Sequence, residues 1–166
     1  MKRLLLMLNV LALVLAMSAN AAGEVKLVEW EILHGLEEVM VVVERIKPEI
    51  ERDGLYSSTL QSDVELKLRM AGMKILEEDD DPQRTDVPYL YVLVDALKCS
   101  KGYAYKVQLS LREPIRVIRN NVRVLASTLS FPGGIGVTPH LSEIREEVRD
   151  QVDEFTQAWS EANPKR

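Results

Sequence analysis

Tyr103, Tyr105, Val107, Leu109 and Leu111 alternate strictly with Ala104, Lys106, Gln108, Ser110 and Arg112. A side-chain period of two is that of a β-strand with one face on a core and one face wet. The segment upstream has the same character. Along Tyr89–Leu97, Leu90, Val92 and Val94 face one way and Tyr89, Tyr91 and Leu93 the other. The short connection Cys99–Gly102 contains a glycine and makes the two runs a hairpin.

Further strands follow from weaker patterns. Val39, Val41 and Val43 alternate with Met40 and Val42, all apolar. A run that is apolar on both faces reads as a covered central strand. Its second face then needs a cover, either the N-terminal segment or an oligomer partner. Met73–Leu76 is a short strand candidate. Pro114 interrupts the clear strand, and Ile115–Ile118 resumes it. Asn120-Asn121 suits a turn, because Asn tolerates positive φ. Val122–Phe131 reads as a last strand, and Pro132-Gly133-Gly134-Ile135-Gly136 as a flexible link. Residues 24–34 alternate only in part and fit either a lead-in strand or a short turn of helix.

Two helices stand out. Leu141, Ile144, Val148, Val152, Phe155 and Trp159 form one stripe at spacings of three and four, stopped by Asn163-Pro164. Thr138 reads as its N-cap, with Pro139 in the first turn. Earlier, Leu60, Val64, Leu68 and Ala71 mark one face of a helix over 59–71. Ser58 and Gln61 fit a capping box there, and Gly72 fits a left-handed C-cap. Pro48 and Asp53-Gly54 separate this helix from the valine-rich strand. The order implies a two-layer α+β domain: a mainly antiparallel sheet of four to five strands, with two amphipathic helices packed on one face.

The first 21 residues read as an address. Lys2 and Arg3 precede an apolar run, Leu4–Met17, and Ala19 and Ala21 stand where a signal peptidase reads. The apolar run is shorter than the ~20 residues a membrane-spanning helix needs. No Cys follows the cleavage point, so no lipid attachment site is present there. The expectation is a signal peptide over 1–21 and a single exported domain over 22–166, periplasmic or secreted, with no stable membrane anchor after cleavage. Losing Lys2 and Arg3 moves the net charge from −5 to −7.

Counts exclude several function classes. One Cys permits no internal disulfide, and one Cys with two His makes no dedicated Cys/His zinc site. The acidic balance gives no global pull toward nucleic acid or anionic lipid. Aromatics are 5% of the chain and do not interleave with basic residues, so nucleic acid is not an expected partner. Glu77–Asp81 is five acids in a row, a solvated loop without the spacing of a calcium loop. The glycines at 133–136 match neither a phosphate-binding loop nor a dinucleotide fingerprint.

Catalytic groupings are equally thin. His34 and His140 have no visible partner for nucleophilic or acid–base work. Asp95 interrupts a strand otherwise apolar on its side and reads as marking the strand's exposed end. Cys99 reads as an unpaired thiol in a turn. No catalytic, cofactor-binding or metal-binding residue is therefore assigned, and no cofactor is expected. One charged pattern has direction. Arg112, Arg116, Arg119 and Arg123 flank a strand pair and, with Lys106, form a basic stripe on the sheet's open face. Arginine suits carboxylate or phosphate recognition, so the stripe is the candidate partner-binding surface. Solvated residues that discourage edge aggregation would look the same.

Leu60–Glu65 with Leu68-Arg69 and Ala71-Gly72-Met73 resembles the helix-then-strand segment of small, uncharacterised exported bacterial proteins. Val152–Phe155 through Asn163-Pro164 is similar to their C-terminal helix. The element order over about residues 36–163 resembles periplasmic modules of the anticodon-binding-like type, as in the N-terminal domain of TolB and in CsgG-related lipoproteins. That resemblance implies binding of partner proteins rather than catalysis. The absent lipid-attachment Cys departs from the lipoprotein members. The expected function is an exported, non-enzymatic module that binds a protein or cell-envelope partner. The alternatives are a small periplasmic hydrolase using His140 or dispersed carboxylates, and a carrier of a small apolar molecule.

Overall fold

The computed structural model describes residues 31–76 and 87–164. The expected signal peptide at 1–21, the lead-in alternatives over 24–30 and the acidic run 77–81 lie outside the described residues. Five strands are present: β1 (Glu38–Val43), β2 (Lys74–Leu76), β3 (Tyr89–Cys99), β4 (Gly102–Val117) and β5 (Val122–Thr138). They form one open sheet in the order β2-β1-β3-β4-β5. β1 lies between β2 and β3, one place in from the edge, and runs parallel to both, so that β3 is the middle strand. β3, β4 and β5 form an antiparallel meander. The sheet is thus mixed, with most of its ladder antiparallel.

The helices are α1 (Pro48–Glu51), α2 (Ser57–Ala71) and α3 (Leu141–Ala162). α2 packs on β1 and β2, α3 packs on β4 and β5, and the two helices pack on each other. Both stripes read from the sequence therefore face one side of the sheet. Leu60, Val64 and Leu68 of α2 and Ile144, Val148, Val152 and Phe155 of α3 meet Val39, Val41, Leu90, Val92, Val94, Val107, Leu109 and Leu111 in one core. Phe155 meets Phe131 edge to face at 5.8 Å between ring centres. The α2–α3 seam is fastened by Arg145, whose Nε and Nη2 donate to Asp63 at 2.6 and 2.8 Å. That fork holds the Asp63 carboxyl below the usual carboxylate range, since the guanidinium favours its charged form.

The far end of α3 clasps the chain before β1. Trp159 Nε1 donates to the Leu36 carbonyl at 2.6 Å, and Asn163 Nδ2 to that of Leu33 at 2.8 Å. Residues 31–35 form a helical turn here, which resolves that part of the lead-in in favour of helix.

Several local expectations need correction. α2 begins at Ser57 with Tyr56 in the N-cap position and no side-chain cap; Gln61 donates instead to Glu65. α3 begins at Leu141 with His140, not Thr138, in the N-cap position, and Pro139 precedes the helix. Thr138 ends β5, where its hydroxyl accepts from His140 N at 3.1 Å and donates to Glu143 Oε2 at 2.6 Å. Pro114 does not interrupt β4, because it sits where the ladder is already a two-stranded edge. α1 was not anticipated; Pro48 opens it and Ile50 buries it.

The largest correction concerns the glycine run. Residues 132–136 are not a flexible link but the second half of β5, paired with β4 across a bulge between Lys106 and Gln108. The glycines are there for close approach. A Cβ on Gly133 would lie 2.4 Å from the Val107 carbonyl oxygen. The Gly134 N–H donates to Glu147 of α3 at 2.7 Å. Only a bare backbone lets β5 pass that close to β4 and α3.

Candidate docking arm

β4 and β5 outrun everything around them. β3 pairs with β4 only as far as Tyr89 opposite Arg112. Beyond that point Glu113–Val117 pairs with β5 alone, and the ladder continues to Val117 opposite Val122. Five strand residues extend about 16 Å. α3, with 22 residues, is about 33 Å long and cannot follow β4, whose 16 residues reach about 53 Å. The two strands therefore leave the body as a ribbon, closed by residues 118–121.

The closing turn is built on asparagine. Asn121 has φ +58, a left-handed conformation that Asn adopts more readily than most residues. Its N–H donates to the Val117 carbonyl at 2.8 Å, and its Oδ1 accepts from Arg116 Nη1 at 2.8 Å. At the base of the arm, the Thr128 hydroxyl donates to Glu113 Oε2 at 2.5 Å.

The two faces of the arm differ. Ile115 is opposite Val124, and Val117 is opposite Val122, so four aliphatic side chains share the face that continues the core side of the sheet. In the body that face is covered: Val107, Leu109 and Leu111 are at most 1% exposed. In the arm it is bare, with Ile115 37%, Val124 39% and Val122 47% exposed. Ile118 at the tip is 99% exposed. On the other face Arg116 is opposite Arg123, and Pro114 is opposite Leu125.

The structure distributes the four sequence-selected arginines unequally. Arg116 and Arg123 are brought together as a cross-strand pair, and Arg119 is exposed in the tip turn. Among the described residues Arg119 and Arg123 form no ion pair. Arg112 lies at the base instead, its guanidinium 3.5 Å from the centre of the Tyr91 ring. Lys106 is farther back, opposite Asp95. The bare aliphatic face was not selected from the sequence as a functional surface. The signal was present in the lengths, since one helix of about six turns cannot cover two strands this long.

The remaining candidates are not joined into a site. Asp95 is exposed and paired to Lys47 at 2.7 Å. His140 is exposed before α3, and no hydrogen bond joins it to Asp95 among the described residues. His34 Nδ1 meets the Ala162 carbonyl at 2.9 Å. Cys99 is exposed. An open depression of about 410 Å³ is lined by His34, Glu37, Glu38 and Glu113 beside Ile32, Leu36 and Pro88. Among the described residues no three His, Cys, Asp or Glu side chains are grouped to hold a metal, and no helix is long and apolar enough to cross a membrane. At the opposite end of β4, Asp53 accepts from Lys98 at 3.0 Å and from Tyr103 at 2.8 Å. Those bonds lower the Asp53 pKa, raise those of Lys98 and Tyr103, and tie the α1 turn to the β3–β4 hairpin.

No known family matches the chain, and no curated protein matches it either.

Proposed function

We propose that this chain is an exported, non-catalytic α+β module, periplasmic or secreted, that docks on a component of the cell envelope through the β4–β5 arm. The observation that carries the reading is the arm itself. A two-stranded ribbon is marginal in water, and one with an uncovered aliphatic face gains a partner by losing that exposure. Arg116, Arg119 and Arg123 add charge that recognises anionic groups. Export is supported by the leader pattern Lys2-Arg3, Leu4–Met17 and Ala19/Ala21.

The test is site-specific photocrosslinking in intact envelopes. A photoreactive side chain replaces Ile118 or Val124 on the arm, or Ser160 on the exposed side of α3. Adducts are expected from both arm positions and not from Ser160. Equal yields from Ser160, or no adduct from the arm, would overturn the proposal.

A further inference from the structure

We infer that the β4–β5 arm seats tip-first on an anionic lipid surface. This rests on the docking role proposed above and names what the arm docks on. The arrangement at the tip is that of an interfacial segment. Ile118 stands fully exposed at the extremity, with Val122 and Val124 bare behind it. Arg119 follows it in the exposed turn, and Arg116 and Arg123 are paired across the ribbon just behind. Aliphatic groups can enter the acyl boundary there while guanidinium groups stay among the phosphates.

The charge distribution points the same way. Arg116, Arg119 and Arg123 against Glu113 give residues 113–126 a net charge of +2; without Lys2 and Arg3 the chain carries −7, so the remainder carries −9. Such a chain is repelled as a whole by anionic lipid. The arm extends about 16 Å past β3, about twice the Debye length of ~8 Å at physiological salt. Its arginines therefore reach an anionic plane while the acidic body stays outside the screened range. An extended flat surface uses that separation fully.

Area argues against a second copy of the chain as the occupant. One face of a two-stranded ribbon about 16 Å long covers on the order of 150 Å². A stable dimer buries about 800 Å² on each partner. A bilayer needs no complementary patch, since each aliphatic group that enters it gains independently.

The experiment floats the chain, purified as the cell makes it, with vesicles of phosphatidylglycerol and phosphatidylcholine, or of phosphatidylcholine alone. Binding is expected to the first and to weaken as salt rises. Ile118→Asp is expected to lower partitioning by about tenfold to a hundredfold. Arg123→Glu should lower it by about tenfold. Lys101→Glu makes the same charge change in the turn at the far end of β4 and should leave binding unchanged. Circular dichroism confirms that each variant is folded, and Ile118→Ser provides a milder change at the same exposed site.

No preference for phosphatidylglycerol, no effect of Ile118→Asp, or an equal effect of Lys101→Glu would overturn the inference. Two results separate its failure from that of the docking role. If vesicles are not bound but Ile118→Asp removes the envelope crosslinks formed from Val124, the arm docks on protein and only the lipid inference falls. If a lipid-free dimer is dissociated by Ile118→Asp while vesicles are ignored, the occupant is a second copy. If Ile118→Asp changes neither vesicle binding nor crosslinks, both readings fall.

Discussion

Leu109 and Ile115 lie on the same face of β4 and obey the same alternation, yet one is 1% exposed and the other 37%. β4 keeps its alternation from one to the other, across a register shift against β5 at Leu111/Arg112; what changes is the cover. The core-side residues of β4 are buried as far as Leu111, and β3 stops pairing at Arg112. Past that boundary the same apolar pattern continues with nothing on it. Aliphatic alternation in a strand thus records which side is meant to be dry. It does not record whether the covering element belongs to the same chain.

The comparison breaks most directly by truncating one side chain in each region. Leu109→Ala leaves a cavity in the core and should cost about 2–5 kcal/mol. Ile115→Ala loses only a partly exposed contact and should stay near 0.5 kcal/mol. Urea unfolding of both variants measures the difference. Equal costs would mean that the arm is covered in solution and belongs to the core.

Glycine replacement sharpens the same boundary. Gly102 has φ +118, and a Cβ there would lie 2.3 Å from the Thr138 carbonyl oxygen. Gly133 would press its Cβ on the Val107 carbonyl. Both obstacles are backbone and cannot swing away. Gly102→Ala and Gly133→Ala should each cost about 1–3 kcal/mol by overpacking, with Gly102→Ala at the upper end because of its φ. In the arm, Asn121→Gly should cost no more than about 0.5–1 kcal/mol, since Gly adopts the left-handed turn freely and only the exposed hydrogen bond from Arg116 is lost. Thermal or urea unfolding checks all three.

Most of the body was legible in the sequence, for a physical reason. Where one chain covers its own sheet, apolar periodicity is sufficient evidence: the stripes at Leu60–Leu68 and Ile144–Phe155 and the alternation of Tyr103–Leu111 all meet in one core. Gly72 takes the left-handed C-cap its position requested, with φ +101. What failed was punctuation. Pro114, Pro132 and Gly133–Gly136 were read as breaks because those residues usually end strands. Here they occupy an edge strand and a bulge, where a missing N–H or a missing side chain is tolerated or needed. Terminating the strands early hid the arm, because the ribbon exists only if β4 and β5 run through. Of the four arginines, the ladder pairs only Arg116 with Arg123, while Arg112 lies on Tyr91 and Arg119 in the tip turn. Their division between Tyr91 and the tip needed the register, which composition does not contain.

The body also carries a fastening whose strength should depend on pH. Asp63 sits in the fork of Arg145, with Arg149 at 3.4 Å, and its folded pKa lies below the ordinary carboxylate value. A depressed folded pKa contributes stability that is fully present above the unfolded value of about 3.9 and fades as pH falls through the lower folded value. Asp63→Asn should therefore destabilise the α2–α3 seam near pH 6, and that cost should shrink below pH 3. Urea midpoints of wild type and variant at both pH values test the sign. A cost independent of pH would assign the seam to packing alone.

The smallest expected effect lies on the boundary itself. Arg112 is the last β4 residue paired to β3, and its guanidinium is engaged by the Tyr91 ring. A half-buried stack of this kind contributes about 0.5–1 kcal/mol, and Lys would not restore the planar contact. Arg112→Ala and Arg112→Lys should therefore both lose a fraction of that stability. Tyr91→Leu should remove most of the further loss in a double-mutant cycle. Arg123, unpaired on the arm among the described residues, should show the reverse profile: almost no cost on replacement by Ala, and a clear loss of vesicle binding. If Arg112→Ala weakens binding as much as Arg123→Ala does, the base arginine leaves Tyr91 on docking. The functional boundary then lies one residue pair deeper in the sheet than the point where β3 ends.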